Sequence, residues 1–228
     1  MLLQRKILGT VGIMSGIPSL PTYFVQSFTK MIQYNAEYLC GPNERIEYLF
    51  AQTSFHANAR NGLVKEMRGD WLLQLDTDHL FEPDLLARLL LRIDKYNLDV
   101  VTGVYCYKEP PYSPVLYHHR EDGLIAPLGD WDKDADIFEV DGAGAGCLLV
   151  KRQVFEKIIA ETGEWPFDCL PGLTEDHSFF KRLKACGIKA YCVPSVEAHH
   201  VMPRALSLAD YDRSQVVLGS PYTRDGAI

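Results

Sequence analysis

The spacing of apolar and polar positions changes period in an ordered way along the chain. Residues 7–14 form a mostly apolar run ended by Ser15-Gly16-Ile17-Pro18, as a buried strand does. From Thr22 to about Tyr38 the residues Tyr23, Phe24, Phe28, Met31 and Ile32 recur on one helical face, and Gly41-Pro42 stops the helix. Residues 46–51 read as a second strand, and the polar segment 53–61, Ser54 included, leads into a helix over 62–67. Leu72, Leu73 and Leu75 mark a short buried strand. Glu82, Pro83 and Asp84 then suit the first turn of a helix whose positions Leu85, Leu86, Leu89, Leu90 and Ile93 share a face. Residues 98–105 give a further strand, so this half alternates strand and helix as a parallel sheet with helical layers does.

The second half is less regular. Prolines at 110, 111 and 114 exclude a regular element over 107–114, and the runs 115–117 and 137–140 read as strands of a hairpin-like excursion around a polar loop. Asp141-Gly142-Ala143-Gly144-Ala145-Gly146 precedes an apolar strand at 147–150 instead of opening a helix, and no Gly-Lys-Ser/Thr appears. That order excludes a phosphate-loop fingerprint and leaves a backbone that a ligand can approach closely. A helix from Arg152 carries Val154, Phe155, Ile158 and Ile159 on one face. Thr174 reads as the N-cap of a helix with Glu175 and Asp176 in its first turn, ended by Gly187. Residues 188–194 read as a last strand running into the His199-His200 pair, and about 205–228 as a tail over the surface. The expected class is α/β, with a mostly parallel central sheet flanked by helices and a small antiparallel excursion, in a single domain over 1–228.

Composition narrows the partners. The 228 residues, 47% hydrophobic, suffice for a substantial core. A formal net charge of −7 and a pI near 5.5 argue against a nucleic-acid or anionic-membrane surface, both of which need basic patches. An anionic ligand then requires a metal ion or local Lys and Arg. No apolar run approaches the ~20 residues of a membrane span. Met1-Leu2-Leu3-Gln4-Arg5-Lys6 lacks the order of a secretory signal, so a soluble, cytoplasmic protein is expected. Cys40, Cys106, Cys147, Cys169, Cys186 and Cys192 form no C-x-x-C pair and suit reduced core thiols.

The candidate chemistry gathers at Asp76-Thr77-Asp78. Two carboxylates at the carboxyl end of a buried strand lie where open α/β sheets bind ligands, and carboxylates together with substrate phosphates are the usual environment of a hard divalent cation. An isolated Asp-x-Asp also serves simply to stabilise turns, so the rest of the chain has to decide. Arg60, between the second strand and this one, is a candidate phosphate or base contact. Glu175 and Asp176 complement a helix dipole whether or not they do chemistry.

The Ala59-Arg60-Asn61 segment, Leu72 to Asp78, Gly144 to Arg152, Thr174 to Phe180 and the His pair, in this order, resemble the GT-A glycosyltransferases, particularly those like family 2. The resemblance covers roughly Val11 to Met202. It implies a nucleotide-sugar donor on the N-terminal half, about 7–104, and an unknown glycan, protein or small-molecule acceptor on the half at about 105–204. It further implies a divalent ion, Mn²⁺ or Mg²⁺, held by Asp78 with help from Asp76. His200, or failing it His199, would supply a further ligand, since adjacent residues of an extended segment point to opposite sides. Nucleotide-sugar contacts would come from Arg60, Asn61, Asp76 and Lys108. Asp176 would act as the general base of an inverting transfer, with Glu175 orienting the acceptor or its loop.

Two other classes compete with this reading. A nucleotidyltransferase shares the sheet and acidic site but carries basic residues after the first strand, and Thr10 to Thr22 contains no Lys or Arg. An inactive binding module on the same scaffold is disfavoured by the retention of Asp76, Asp78 and Asp176 together. The first strand ends without an acidic residue that would select a base, and no arginine-containing acceptor motif of a processive synthase is recognisable.

Overall fold

The computed structural model describes residues 5–16, 19–53, 55–119 and 125–202. Expectations that involve residues 1–4, Ile17, Pro18, Ser54 and the 205–228 tail lie outside the described residues. In chain order the elements are β1 (Lys6–Ser15), α1 (Thr22–Tyr38), β2 (Glu44–Gln52), α2 (His56–Glu66), β3 (Trp71–Asp76), β4 (His79–Phe81), α3 (Leu85–Tyr96) and β5 (Val100–Val104). There follow β6 (Leu116–His119), β7 (Ile125–Pro127), β8 (Phe138–Val140), β9 (Gly142–Ala143), β10 (Cys147–Lys151), α4 (Arg152–Thr162), α5 (Glu175–Ala185) and β11 (Ala190–His200).

The central sheet runs β2-β1-β3-β10-β5-β11-β4, with β8 also paired to β11. Strands β2, β1, β3, β5 and β11 point one way, and β10, β8 and β4 run against them. The sheet is therefore mostly parallel, as expected, but β10 enters antiparallel between β3 and β5. A small antiparallel sheet, β7-β6-β9, stands apart from it.

Helices cover the sheet because its strands are buried on both faces. Along β3, Leu72 packs into one apolar cluster and Leu73 and Leu75 into the other; along β10, Leu148 and Val150 alternate with Cys147 and Leu149. This period of two splits one apolar run between two cores. Helix α1 closes one side with Phe24, Phe28 and Met31, and α4 and α5 close the other around Phe155, Phe167 and Phe179. Phe167 and Phe179 stack with ring centroids 4.6 Å apart. Asn97, at φ 51°, ends α3 in the left-handed region that Asn tolerates, and Gly163, at φ 71°, does the same for α4.

Several expectations need correction. Residues 137–140 do not pair with 115–117: β8 joins β11 in the central sheet, whereas β6 pairs β7 and β9. Strand pairing is non-local, and the apolar pattern carries no partner identity. The segment 53–61 is not a polar approach to a helix, because α2 begins at His56 and contains Arg60 and Asn61. Glu82, Pro83 and Asp84 precede α3 instead of forming its first turn, and the short strand β4 lies before them. The last strand continues through Pro194 to His200. Its ladder to β5 shifts register between Cys192 and Glu197, a stretch in which Pro194 has no N–H to donate. Among the cysteines, Cys147, Cys186 and Cys192 are buried, but Cys106 and Cys169 are exposed; all six are free thiols. Burial pushes the Cys147 thiol up to about 12.

Candidate active site

The strands that share a direction end on one edge of the sheet, where β3 delivers Asp76 and β11 delivers His200. Strand β10 runs the other way, so its start brings Gly146 to the same edge, and the Asp76 N–H donates to the Gly146 carbonyl at 3.1 Å. A Cβ on Gly146 would lie 2.6 Å from Asp76 Oδ2 and 2.6 Å from His79 Cε1. A Cβ on Gly144 would fall 1.8 Å from the Tyr105 hydroxyl, which accepts from the Gly146 N–H at 3.1 Å. The Gly-Ala-Gly-Ala-Gly segment thus allows close approach, and the groups that approach it are the protein's own side chains.

Arg60 ties this edge together. It is 3% exposed, and its Nε donates to Glu175 Oε1 at 3.2 Å. Its Nη1 donates to Gln74 Oε1 at 3.1 Å and to the Ala145 carbonyl at 2.9 Å, and Nη2 to Asp76 Oδ1 at 3.3 Å. Burial penalises the charge, but the carboxylates of Asp76 and Glu175 outweigh that and hold the guanidinium pKa above its ordinary value. Asn61, one residue on, faces elsewhere: its Nδ2 donates to Asp168 Oδ1 at 2.8 Å, and its Oδ1 accepts from the Phe167 N–H at 2.9 Å. It anchors the loop before α5.

Asp78, His79 and His200 form the one group of three acidic or imidazole side chains able to share an ion among the described residues, with ligand atoms within 4.8 Å of one another. Asp78 Oδ1 lies 3.9 Å from His79 Nε2 and 3.9 Å from His200 Nε2, and Lys108 donates to Asp78 Oδ2. Burial works against the charged Asp78 carboxyl, but the Lys108 bond and the charges around it leave its pKa below the usual value. His79 is fully buried, and burial pushes its pKa down to about 4. Asp76 and His199 fall outside this group. His199 and His200 alternate on β11, opposite Leu80 and His79 of β4, so His199 turns outward toward Glu197, 3.7 Å away.

At the start of α5, Thr174 occupies the expected N-cap position, but its hydroxyl donates to Asp176 Oδ1 and accepts no helix N–H as a cap. Asp176 Oδ1 also accepts from the His177 N–H at 2.8 Å. Glu175, besides accepting from Arg60, lies 3.6 Å from His56 Nδ1.

A cavity of about 260 Å³ opens beside the acidic pair, between Ser15, Thr53, His56, Asp76 and Asp78, at the ends of β1 and β2. A second of about 270 Å³ is lined by Tyr105, Lys108, Tyr112 and His200. A larger cavity, about 720 Å³ by Trp71, Asp94 and Arg152, is lined by none of the site residues.

Sequence reasoning missed His79, Gln74, Tyr105 and His56. His79 directly follows Asp78, but only the pairing of β4 with β11 turns that adjacency into a cluster with His200. Gln74 interrupts the apolar run of β3, and a polar residue fully buried in a strand ordinarily has a partner to find, here Arg60.

Comparison with known proteins bears on the family and the fold. The family described as Glycosyl transferase family 2 matches residues 30–159, more than half of the chain and the part containing Arg60, Asp76 and Asp78. No curated protein matches. Among solved structures, A197 from STIV is similar at 21% identity, with 85% of each chain covered and a TM-score of 0.55. GalNAc-T7, solved with UDP, GalNAc and Mn²⁺, is similar at 13% identity and a TM-score of 0.59 over 95% of this chain; the match spans 48% of that protein. These likenesses give the fold as GT-A. No described helix is long and apolar enough to cross a membrane. The chain belongs to glycosyl transferase family 2.

Proposed function

We propose that this glycosyltransferase moves a sugar from a nucleotide-diphospho-sugar to an acceptor hydroxyl with a divalent cation, Mn²⁺ or Mg²⁺, and inverts the anomeric centre with Asp176 as general base. The observation that carries the proposal is the convergence at one sheet edge of Asp76, Asp78 and His200, with Arg60 joining Asp76 to the helix that bears Asp176. The donor set suits a cation: Asp78 Oδ1 is buried without a hydrogen-bond partner among the described residues, and His200 Nε2 lies 3.9 Å from it. GalNAc-T7, of the same fold, was solved with Mn²⁺ and UDP, which supports the same ion class here. When bound, the cation supplies charge neutralisation at the leaving diphosphate.

The remaining work falls to the chain. The cavity between Ser15, Thr53, His56 and the acidic pair would seat the nucleoside, with Asp76 oriented by Arg60 toward the ribose. Lys108, paired with Asp78 Oδ2, would exchange that carboxylate for the donor diphosphate. The bonds from Thr174 and His177 orient the Asp176 carboxylate, which would take the acceptor proton as the hydroxyl attacks from the face opposite the leaving group. Glu175 would act through Arg60, holding α5 against α2. Calorimetry with a panel of UDP-, GDP-, CMP- and dTDP-sugars plus Mn²⁺ tests the donor reading: one binding partner is expected, and silence across the panel rejects it. NMR of the product anomer tests inversion.

A further inference from the structure

His79 has no task in the scheme above, although it is fully buried at the heart of the site. Its Nδ1 lies 3.1 Å from the Gly146 carbonyl. A carbonyl can only accept, so Nδ1 donates and Nε2 is the ring nitrogen left to face a ligand. Nε2 has no hydrogen-bond partner among the described residues, which is not how a core histidine is ordinarily accommodated. His200 repeats the arrangement, its Nδ1 engaged by the Cys106 carbonyl and its Nε2 turned inward. Lys108 engages Asp78 Oδ2, which leaves Oδ1 facing both Nε2 atoms at 3.9 Å.

Three ligand atoms therefore converge within 4.8 Å of one another, with both Nε2–Oδ1 separations too long for hydrogen bonds and the group close enough to share one ion. A ring nitrogen donated to a backbone carbonyl with the other left free is how proteins orient imidazole ligands. Backbone register sets the pair: His200 sits opposite His79 in the β11–β4 ladder, with ring centroids 4.5 Å apart. Gly146 makes room for it, since a Cβ there would strike His79.

We propose that His79 is a third ligand, so that Asp78, His79 and His200 form a centre of two imidazoles and one carboxylate that takes Mn²⁺, Co²⁺ or Zn²⁺ in preference to Mg²⁺ and fills before a nucleotide arrives. The inference rests on the preceding assignment of Asp78 and His200 as ligands. Bonds of about 2.0–2.2 Å bring one ion within reach of all three atoms after a small contraction. Mg²⁺ favours oxygen ligands and keeps its waters, whereas the later divalent ions accept imidazole, so the nitrogen pair sets the selectivity.

The test is titration of the full chain with Mn²⁺ in the absence of nucleotide, followed by EPR, with pulsed EPR to count imidazole nitrogens on the bound ion. One site with two nitrogen couplings is expected, preferred over Mg²⁺ in competition by about tenfold or more. His79→Ala should weaken it about tenfold or more and remove one coupling, whereas His118→Ala should preserve both. A single coupling in the unaltered chain, equal affinity for Mg²⁺, or Mn²⁺ uptake only after UDP is added would overturn the proposal. The nitrogen count in the unaltered chain decides the matter even if His79→Ala does not fold. Two couplings in a chain that binds none of the nucleotide-sugars would sink the donor reading and leave this one standing.

Discussion

Arg60 Nε donates to Glu175 Oε1 at 3.2 Å, so the helix after the second strand is ionically joined to the helix that carries the candidate base. Neither partner stands near the other in sequence, and both are mostly withdrawn from water, with side-chain exposures of 4% and 12%. Arg60→Ala strands Asp76 and Glu175 without their cation, and removal of one partner from a buried pair costs about 3–5 kcal/mol. Urea unfolding should register that loss. Arg60→Lys retains the charge but cannot serve four acceptors with one ammonium, so it should fold yet bind donor more weakly in calorimetry.

Asp78→Ala should abolish metal-dependent nucleotide binding while leaving the fold intact, because its carboxylate is partly exposed and its Oδ1 has no hydrogen-bond partner to leave behind among the described residues. Donor affinity measured with Mn²⁺ and with EDTA should become equal. A persisting Mn²⁺ response would reject the role of Asp78.

Asp176→Asn preserves the side chain's shape and its ability to accept from Thr174 and His177, but it cannot take a proton. Turnover should fall by about 10²–10⁴-fold, with donor affinity unchanged. Normal turnover would exclude Asp176 as the base.

Gly146→Ala adds one methyl where Asp76 Oδ2 and His79 Cε1 each stand 2.6 Å away. Overpacking of this kind costs about 1–3 kcal/mol. The clash is confined to the site, so loss of Mn²⁺ affinity should exceed what the modest fall in thermal midpoint suggests.

Asp136 pins the segment before β8 to α3, accepting from Lys95 and Tyr96 at 2.8 Å and from Arg92 at 3.0 and 2.7 Å. Those donors, Lys95 first, hold its carboxyl well below the usual carboxylate range. A depressed folded-state pKa means that the contribution is present above the unfolded value, about 4, and is lost as pH falls below it. The urea midpoint of Asp136→Asn should accordingly depend less on pH below about 4 than that of the unaltered chain.

Local rules made much of this legible from sequence. Helix α1 has the expected limits, Thr22 to Tyr38, because its apolar spacing and the Gly41-Pro42 stop are both local. The strand ending in Asp76 and the helix opening at Glu175 are equally readable, the first from an apolar run interrupted only at Gln74 and the second from acidic residues at a capping position. The residues themselves bring Arg60 and Asp78 forward as candidates, and the family resemblance adds Asp176 and His200.

Tertiary structure decided what depends on pairing. Whether 147–150 runs with or against its neighbours does not alter its apolar pattern, and only the antiparallel placement of β10 brings Gly146 to Asp76 and His79. The separation of β8 from β6 is of the same kind, since a strand's alternation says which faces are buried and not which strand lies beside it. Asn61 was expected at the donor, yet a helix starting at His56 turns its side chain to the loop at Asp168. His79 had no signal of its own: a histidine after an aspartate becomes a ligand only when β4 lies against β11, and a contact closed across a hundred residues is written in no local period.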